Sequence, residues 1–201
     1  WAPLRLFPRI GGKLDIEHRV AALAQAQHGL VTRSQLLALG VTRRRIDRWL
    51  SARRLQPMHR GVYALGHRPT GDLARWHAAV LARGPGALLG GLSAASLWDL
   101  QIEDRGETTV VVALGSRVKR PGERLIRAAD MPSTERASRF GIAVTSVART
   151  LVDLGALVSA GKLRRAVERA EQLELFDGNE IWPIIERRRR RPGVAALERL
   201  L

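Results

Sequence analysis

Apolar positions recur with a helical period through the first fifty residues. Ile16, Val20, Leu23 and Ala24 share one face of a segment from Asp15 to His28. Asp15 can cap that segment, and Gly29 can stop it in a left-handed conformation. A shorter period follows. Thr32 is placed as a cap, Gln35 three residues on completes a capping box, and Val31 and Leu36 form a hydrophobic staple. Leu36, Leu37 and Leu39 are expected to face inward, and Gly40 to end a helix of about two turns. The third period lies in TRRRIDRWL, residues 42–50. Val41 and Thr42 repeat the staple and cap, and Ile46, Trp49 and Leu50 fall at i, i+3 and i+4 as the buried stripe.

The polar positions of the third segment break a local rule. At about 100° per residue, Arg44 and Arg48 point away from the stripe, Arg45 lies on its flank, and Arg43 falls nearer the core side. Three guanidinium groups therefore stand in the first turn, where the helix dipole disfavours positive charge. Arg45 occupies the position where a capping box would carry Glu, and nothing within the helix offsets it. Such violations are expected at functional sites.

Gly40-Val41-Thr42 joins the second and third helices as a short turn, a helix-turn-helix signature. Two β-prone runs come next, Leu55 to Met58 and Val62 to Leu65, with His59-Arg60-Gly61 as a tight loop and Pro57 suited to an edge. Three helices and a hairpin predict the winged form of the motif. In that form the third helix enters a major groove, and the wing lies on the backbone. Arg44, Arg45 and Arg48, with Arg43, are then candidates for base edges or phosphate. Arg53, Arg54 and Arg60, with Arg33 on the preceding helix, are candidates for phosphate. Leu36, Ile46, Trp49 and Leu50 are the expected core.

Beyond Gly66 the pattern becomes mixed. A helix is expected over Leu73 to Arg83, with Trp76, Val80 and Leu81 on its inner face and His77 at the surface. GPGALLGGLSAASLWDL reads as turn, short strand, loop and a helix capped by Ser93. Residues 107–114 form the clearest strand, residues 120–130 hold a second and 140–144 a third. SVARTLVDLGAL is a helix in which Arg149 and Asp153, at i and i+4, can pair. GKLRRAVERAEQLELF is a further amphipathic helix, broken at Asp177-Gly178-Asn179. NEIWPIIERRRRR is a last short helix interrupted by Pro183, with Arg187 to Arg191 as a solvated end suited to the helix dipole or, as the second reading, an extra phosphate-binding patch.

Charge sharpens the division. The whole chain of 201 residues carries +15. The first 83 residues hold 15 Lys and Arg against 4 Asp and Glu, whereas residues 84–186 hold 13 against 14. A basic first part beside a neutral second part points to a polyanion-binding module joined to something else. No apolar run approaches the ~20 residues of a membrane span. The start, WAPLRLFPRIGGK, does not read as a signal peptide, so a cytoplasmic place is expected. The chain has no Cys.

Catalytic chemistry finds little footing. The five histidines are scattered without metal-ligand spacing. Neither G-x-S-x-G nor G-x-x-x-x-G-K-[ST] occurs. A metal nuclease would need clustered carboxylates with a nearby Lys, and none of Lys13, Lys119 and Lys162 stands two after an acid. No enzyme, cofactor or metal is expected within these residues. With aromatics at 4%, stacking platforms for single-stranded RNA are few.

The succession HGLVTRSQLLALGVTRRRIDRWL, RLQPMHRGVYALG, SAASLWDL, GIAVTSVARTLVDL and RRAVERAEQLELF resembles the AbiEi-like antitoxins. In particular it looks like their actinobacterial branch, whose longer members continue into a Vsr-like endonuclease domain. The resemblance covers roughly residues 16–200. It implies an α+β (α/β) chain: an extension over 1–14, a winged helix-turn-helix DNA-binding domain over 15–68, and an α/β antitoxin-like domain over 69–201. That last domain would hold a small sheet and C-terminal helices. It also implies sequence-specific binding of double-stranded DNA and repression of the chain's own operon. A nucleotidyltransferase-type toxin encoded nearby is an implied partner, and a homo-oligomer is compatible. The alternative is DNA targeting by the N-terminal part of a longer, nuclease-bearing protein. Relatives carry Ser-His-Arg ahead of the Ser-Ala-Ala run, where Gly90, Gly91 and Leu92 stand here.

Overall fold

The structure, a computed structural model, describes residues 12–104, 106–115, 120–175 and 178–201. The chain divides into two units, Trp1–Pro69 and Thr70–Leu201. Together they mix helix and sheet in an α+β fold.

The first unit is a winged helix-turn-helix. Its order is α1 (Gly12–Ala26), β1 (Leu30–Thr32), α2 (Arg33–Ala38), α3 (Arg43–Ser51), β2 (Leu55–His59) and β3 (Val62–Leu65). The three strands form an antiparallel sheet in the order β1-β3-β2. Val20, Ala24, Val31, Leu36, Val41, Ile46, Trp49, Leu55 and Tyr63 make one core, with Leu50 partly buried against it. Three local expectations are corrected. Asp15 lies inside the first turn of α1 instead of capping it. Leu37 is exposed and Leu39 only partly buried, because α2 has six residues and turns a single position, Leu36, fully into the core. Strand β1 appears where the periodicity showed only a cap and a staple. It pairs Leu30 with Ala64 and Thr32 with Val62, a partnership thirty or more residues away in sequence.

The second unit is built on a five-stranded mixed sheet. Its elements are α4 (Asp72–Arg83), β4 (Leu88–Leu89), α5 (Gly91–Leu97), β5 (Thr108–Ala113), β6 (Glu123–Ala128), a 3-10 turn (Ser133–Glu135), β7 (Arg136–Arg139), β8 (Ile142–Thr145), α6 (Val147–Leu154), α7 (Ala160–Gln172), α8 (Gly178–Arg188) and α9 (Val194–Glu198). The strand order is β6-β5-β4-β8-β7. Strand β5 is buried on both faces, as its run of valines requires. Leu89, Val110, Val112, Ile142 and Val144 pack with Trp76 and Val80 of α4. Leu88 and Val111 point the other way, with Ala128. The helices α5 to α9 share a separate core around Leu151, Leu154, Leu163, Ile181 and Leu197.

Several differences from the sequence reading have clear causes. His77 is buried, since nearly the whole middle of α4 is covered instead of one stripe. Ser93 is not a cap: Gly90 holds that position, and the Ser93 hydroxyl accepts the Thr109 N–H at 2.8 Å. A Cβ on Gly90 would fall 2.4 Å from Val111 Cγ2, so glycine there lets the start of α5 meet β5 closely. Helix α8 runs through Pro183. Burial of Ile181, Ile184, Ile185 and Arg188, at i, i+3, i+4 and i+7, outweighs the backbone bond that the proline cannot donate. Strand β7 and helix α9 were not foreseen. The expected break at 177–179 lies partly outside the described residues, and Gly178 and Asn179 belong to α8.

The arginine run at the end of α8 is a solvated end only in part: Arg187, Arg189 and Arg190 are exposed, whereas Arg188 is buried. Arg187 and Arg188 both donate to Glu135, which is fully buried, and Arg149 of α6 joins them on the same carboxylate. Arg149 also donates to Asp153 at 2.9 Å, the pairing that their spacing predicts, and Arg191 reaches Asp153 at 3.5 Å. Among the described residues no helix is long and apolar enough to cross a membrane.

Candidate nucleic-acid interface

Local chemistry sets the geometry of the α2–α3 motif. The Thr32 hydroxyl accepts the Gln35 N–H at 3.1 Å, and the Gln35 side chain accepts the Thr32 N–H at 2.8 Å, so both halves of the capping box form. Gly40 turns the chain at φ +88, a value that suits glycine. Thr42 then caps α3, its hydroxyl accepting the Arg45 N–H at 3.3 Å. Ile46 and Trp49 are buried, which fixes the rotation of α3 about its axis.

That rotation sorts the eight arginines named from the sequence. Arg43, Arg44 and Arg48 are exposed on α3, as are Arg53 just after it and Arg60 at the wing turn. Among the described residues these five make no ion pair. Thr42, Arg44, Arg45 and Arg48 line a shallow recess of about 310 Å³ over the start of the helix. The other three are engaged within the unit. Arg33 donates to the Tyr63 hydroxyl at 3.5 Å and lies 3.7 Å from Asp47. Arg45 donates to Glu17 Oε1 at 2.5 Å, and Arg54 donates to Glu17 Oε2 at 2.9 Å. Both guanidinium groups also lie over the Trp49 indole, 4.9 and 4.5 Å from its centroid.

Glu17 is the residue that sequence reasoning missed. It sits on α1, 28 positions before Arg45, and no spacing rule links the two. It supplies from a neighbouring helix the negative charge that the first turn of α3 lacks. Hydrogen bonds from Arg54 and then Arg45 hold its carboxyl below the ordinary glutamate range. A depressed folded-state pKa gives stability that is present above the unfolded value of about 4.3 and is lost as pH falls through the folded one. The first unit of the wild-type chain should therefore lose more of its melting temperature below about pH 4.3 than the Glu17→Gln variant does. Melting followed by circular dichroism from pH 6 to 3 tests this, and parallel curves would dismiss the linkage.

Among the described residues no group of three or more His, Cys, Asp or Glu could hold a metal ion. The face itself presents exposed cations, Arg43, Arg44 and Arg48, on a helix fixed by its buried side.

Comparison with known proteins places the motif. Residues 18–66 match the model of the AbiEi_4 family, described as "Transcriptional regulator, AbiEi antitoxin". The match runs from within α1 to the end of β3 and takes in all eight arginines. The crystal structure of the RV2827C protein from Mycobacterium tuberculosis is similar in fold, with a TM-score of 0.53 and 17% identity. That likeness covers 92% of this chain and 76% of the other. No curated protein matches.

Proposed function

We propose that this chain, whose residues 18–66 match the AbiEi antitoxin family of transcriptional regulators, binds double-stranded DNA in a sequence-specific way and represses its own operon. The observation that carries the reading is the sorting of α3. Its buried stripe is Ile46 and Trp49, and its open face presents Arg44 and Arg48 without internal partners.

In this reading α3 enters the major groove, with Arg44 and Arg48 at base edges. Arg43, at the first position of the helix, and Arg53, just past its end, meet phosphates on either side. The wing turn brings Arg60 to the backbone. Repression follows from occupancy of the promoter. The chain acts in the cytoplasm, and its protein partner is a nucleotidyltransferase-type toxin encoded nearby. No step of this action needs catalysis by the chain.

Selection from random-sequence duplexes with the whole chain, followed by affinity measurements across salt concentrations, tests the reading. A preferred sequence should emerge. Three arginines on phosphate, Arg43, Arg53 and Arg60, predict a slope of log K against log salt of roughly −3, at about 0.9 per phosphate contact. A flat slope, or a selected pool no different from the starting one, would reject DNA binding by this face.

A further inference from the structure

Glu17 bridges two of the arginines that the sequence offers to DNA, and it does so from outside the recognition helix. We propose that Glu17 sets the specificity of the winged unit: it withdraws Arg45 and Arg54 from the DNA face and fixes the first turn of α3, leaving sequence reading to Arg44 and Arg48. This rests on the DNA-binding reading above.

The geometry is a closed set of contacts. One carboxylate oxygen takes Arg45 at 2.5 Å and the other takes Arg54 at 2.9 Å. The two guanidinium groups cover the indole of Trp49, which is itself a core residue at 5% exposure. The Arg45 side chain is only 13% exposed, and Arg54, at 41%, is held by its contacts with Glu17 and Trp49, whereas Arg44 and Arg48 are open to solvent without an ion pair among the described residues. Arg45 thus forms part of the wall of the recess whose other cations are free.

Two consequences follow from charge and position. Glu17 offsets one of the two positive charges that Arg45 and Arg54 bring, which lowers attraction to any phosphate backbone regardless of sequence. The same contacts tie the start of α3 to α1, and base recognition depends on holding that start in place, since a bidentate contact tolerates little displacement. Glu17 is therefore a positioning residue that raises discrimination by both routes. It lowers non-specific affinity, and it preserves the alignment of Arg44 and Arg48.

The test uses the full chain and the duplex selected by the wild type, with a scrambled duplex as the non-specific reference. For Glu17→Gln the salt slope on scrambled DNA should steepen by about 0.9 to 1.8, as one or both guanidinium groups reach phosphate. The ratio of specific to non-specific affinity should fall about tenfold. A merely structural role would weaken both duplexes alike and leave the slope unchanged, and that result would overturn the proposal. Arg45→Gln gives an independent arm, which stands if the first variant does not fold. Its salt slope should stay at the wild-type value while discrimination falls. A slope flattened by about 0.9 would mean that Arg45 itself contacts phosphate, and would overturn the proposal. If the wild type selects no preferred duplex, the DNA-binding reading fails instead, and the two failures are distinct.

Discussion

Glu135→Ala is expected to destabilise the second unit by about 3–5 kcal/mol, as removing one partner of a buried ion pair does. Glu135 has no exposed surface, and three guanidinium groups converge on it. Arg149 is likewise fully buried and Arg188 almost so. Without the carboxylate these cations keep their desolvation and lose their main partner. Arg149 retains Asp153 and Arg188 retains the neighbourhood of Asp130, so the loss is large without being total. The network joins the 3-10 turn before β7 to α6 and α8, so the C-terminal helices should loosen with it. By contrast, Arg189→Ala should change stability by no more than about 0.5 kcal/mol. Its side chain is 74% exposed and its pair with Glu198 spans 3.8 Å. Urea denaturation of the three proteins compares them directly. A loss of under about 1 kcal/mol for Glu135→Ala would mean that the unit does not depend on the network.

The double variant Arg44→Ala, Arg48→Ala should lower affinity for the selected duplex at least about 30-fold, at ~1–3 kcal/mol for each base contact. Neither side chain is in the core, and neither makes an ion pair among the described residues, so the melting temperature should hold. Titration at fixed salt, with the scrambled duplex alongside, separates reading from attraction. Side chains that read bases lower the affinity ratio between the two duplexes. Side chains that only meet phosphate lower both affinities equally. Unchanged binding to the selected duplex would remove α3 as the recognition helix.

Where signals are local, the sequence and the structure agree closely. Thr32 with Gln35, and Thr42 before Arg45, announce two helix starts, and the observed caps sit on those threonines. Ile46 and Trp49 give the buried face of α3 by spacing alone. The pairing of Arg149 with Asp153 follows from one turn of helix. Where a feature depends on distant partners, periodicity carried no trace of it. Three residues are too few for β1 to show alternation, and its identity rests on its register with β3. Ser93 has the chemistry of a cap, but a β5 backbone amide claimed its hydroxyl.

The charged residues divide in the same way. By itself the sequence determined how many cations the first unit would carry and which side of α3 would turn outward, because composition and a period of 3.6 residues need no partner. Only the tertiary structure decided which of those cations remain free. An ion pair is formed by whatever chain segment folding brings within a few ångströms, and sequence distance does not encode that. Glu17 reached Arg45 and Arg54 from another helix. Buried Glu135 drew Arg149 into the interior, and with it Arg188, and drew exposed Arg187 onto the same carboxylate, these last two out of a run that sequence spacing gives as surface.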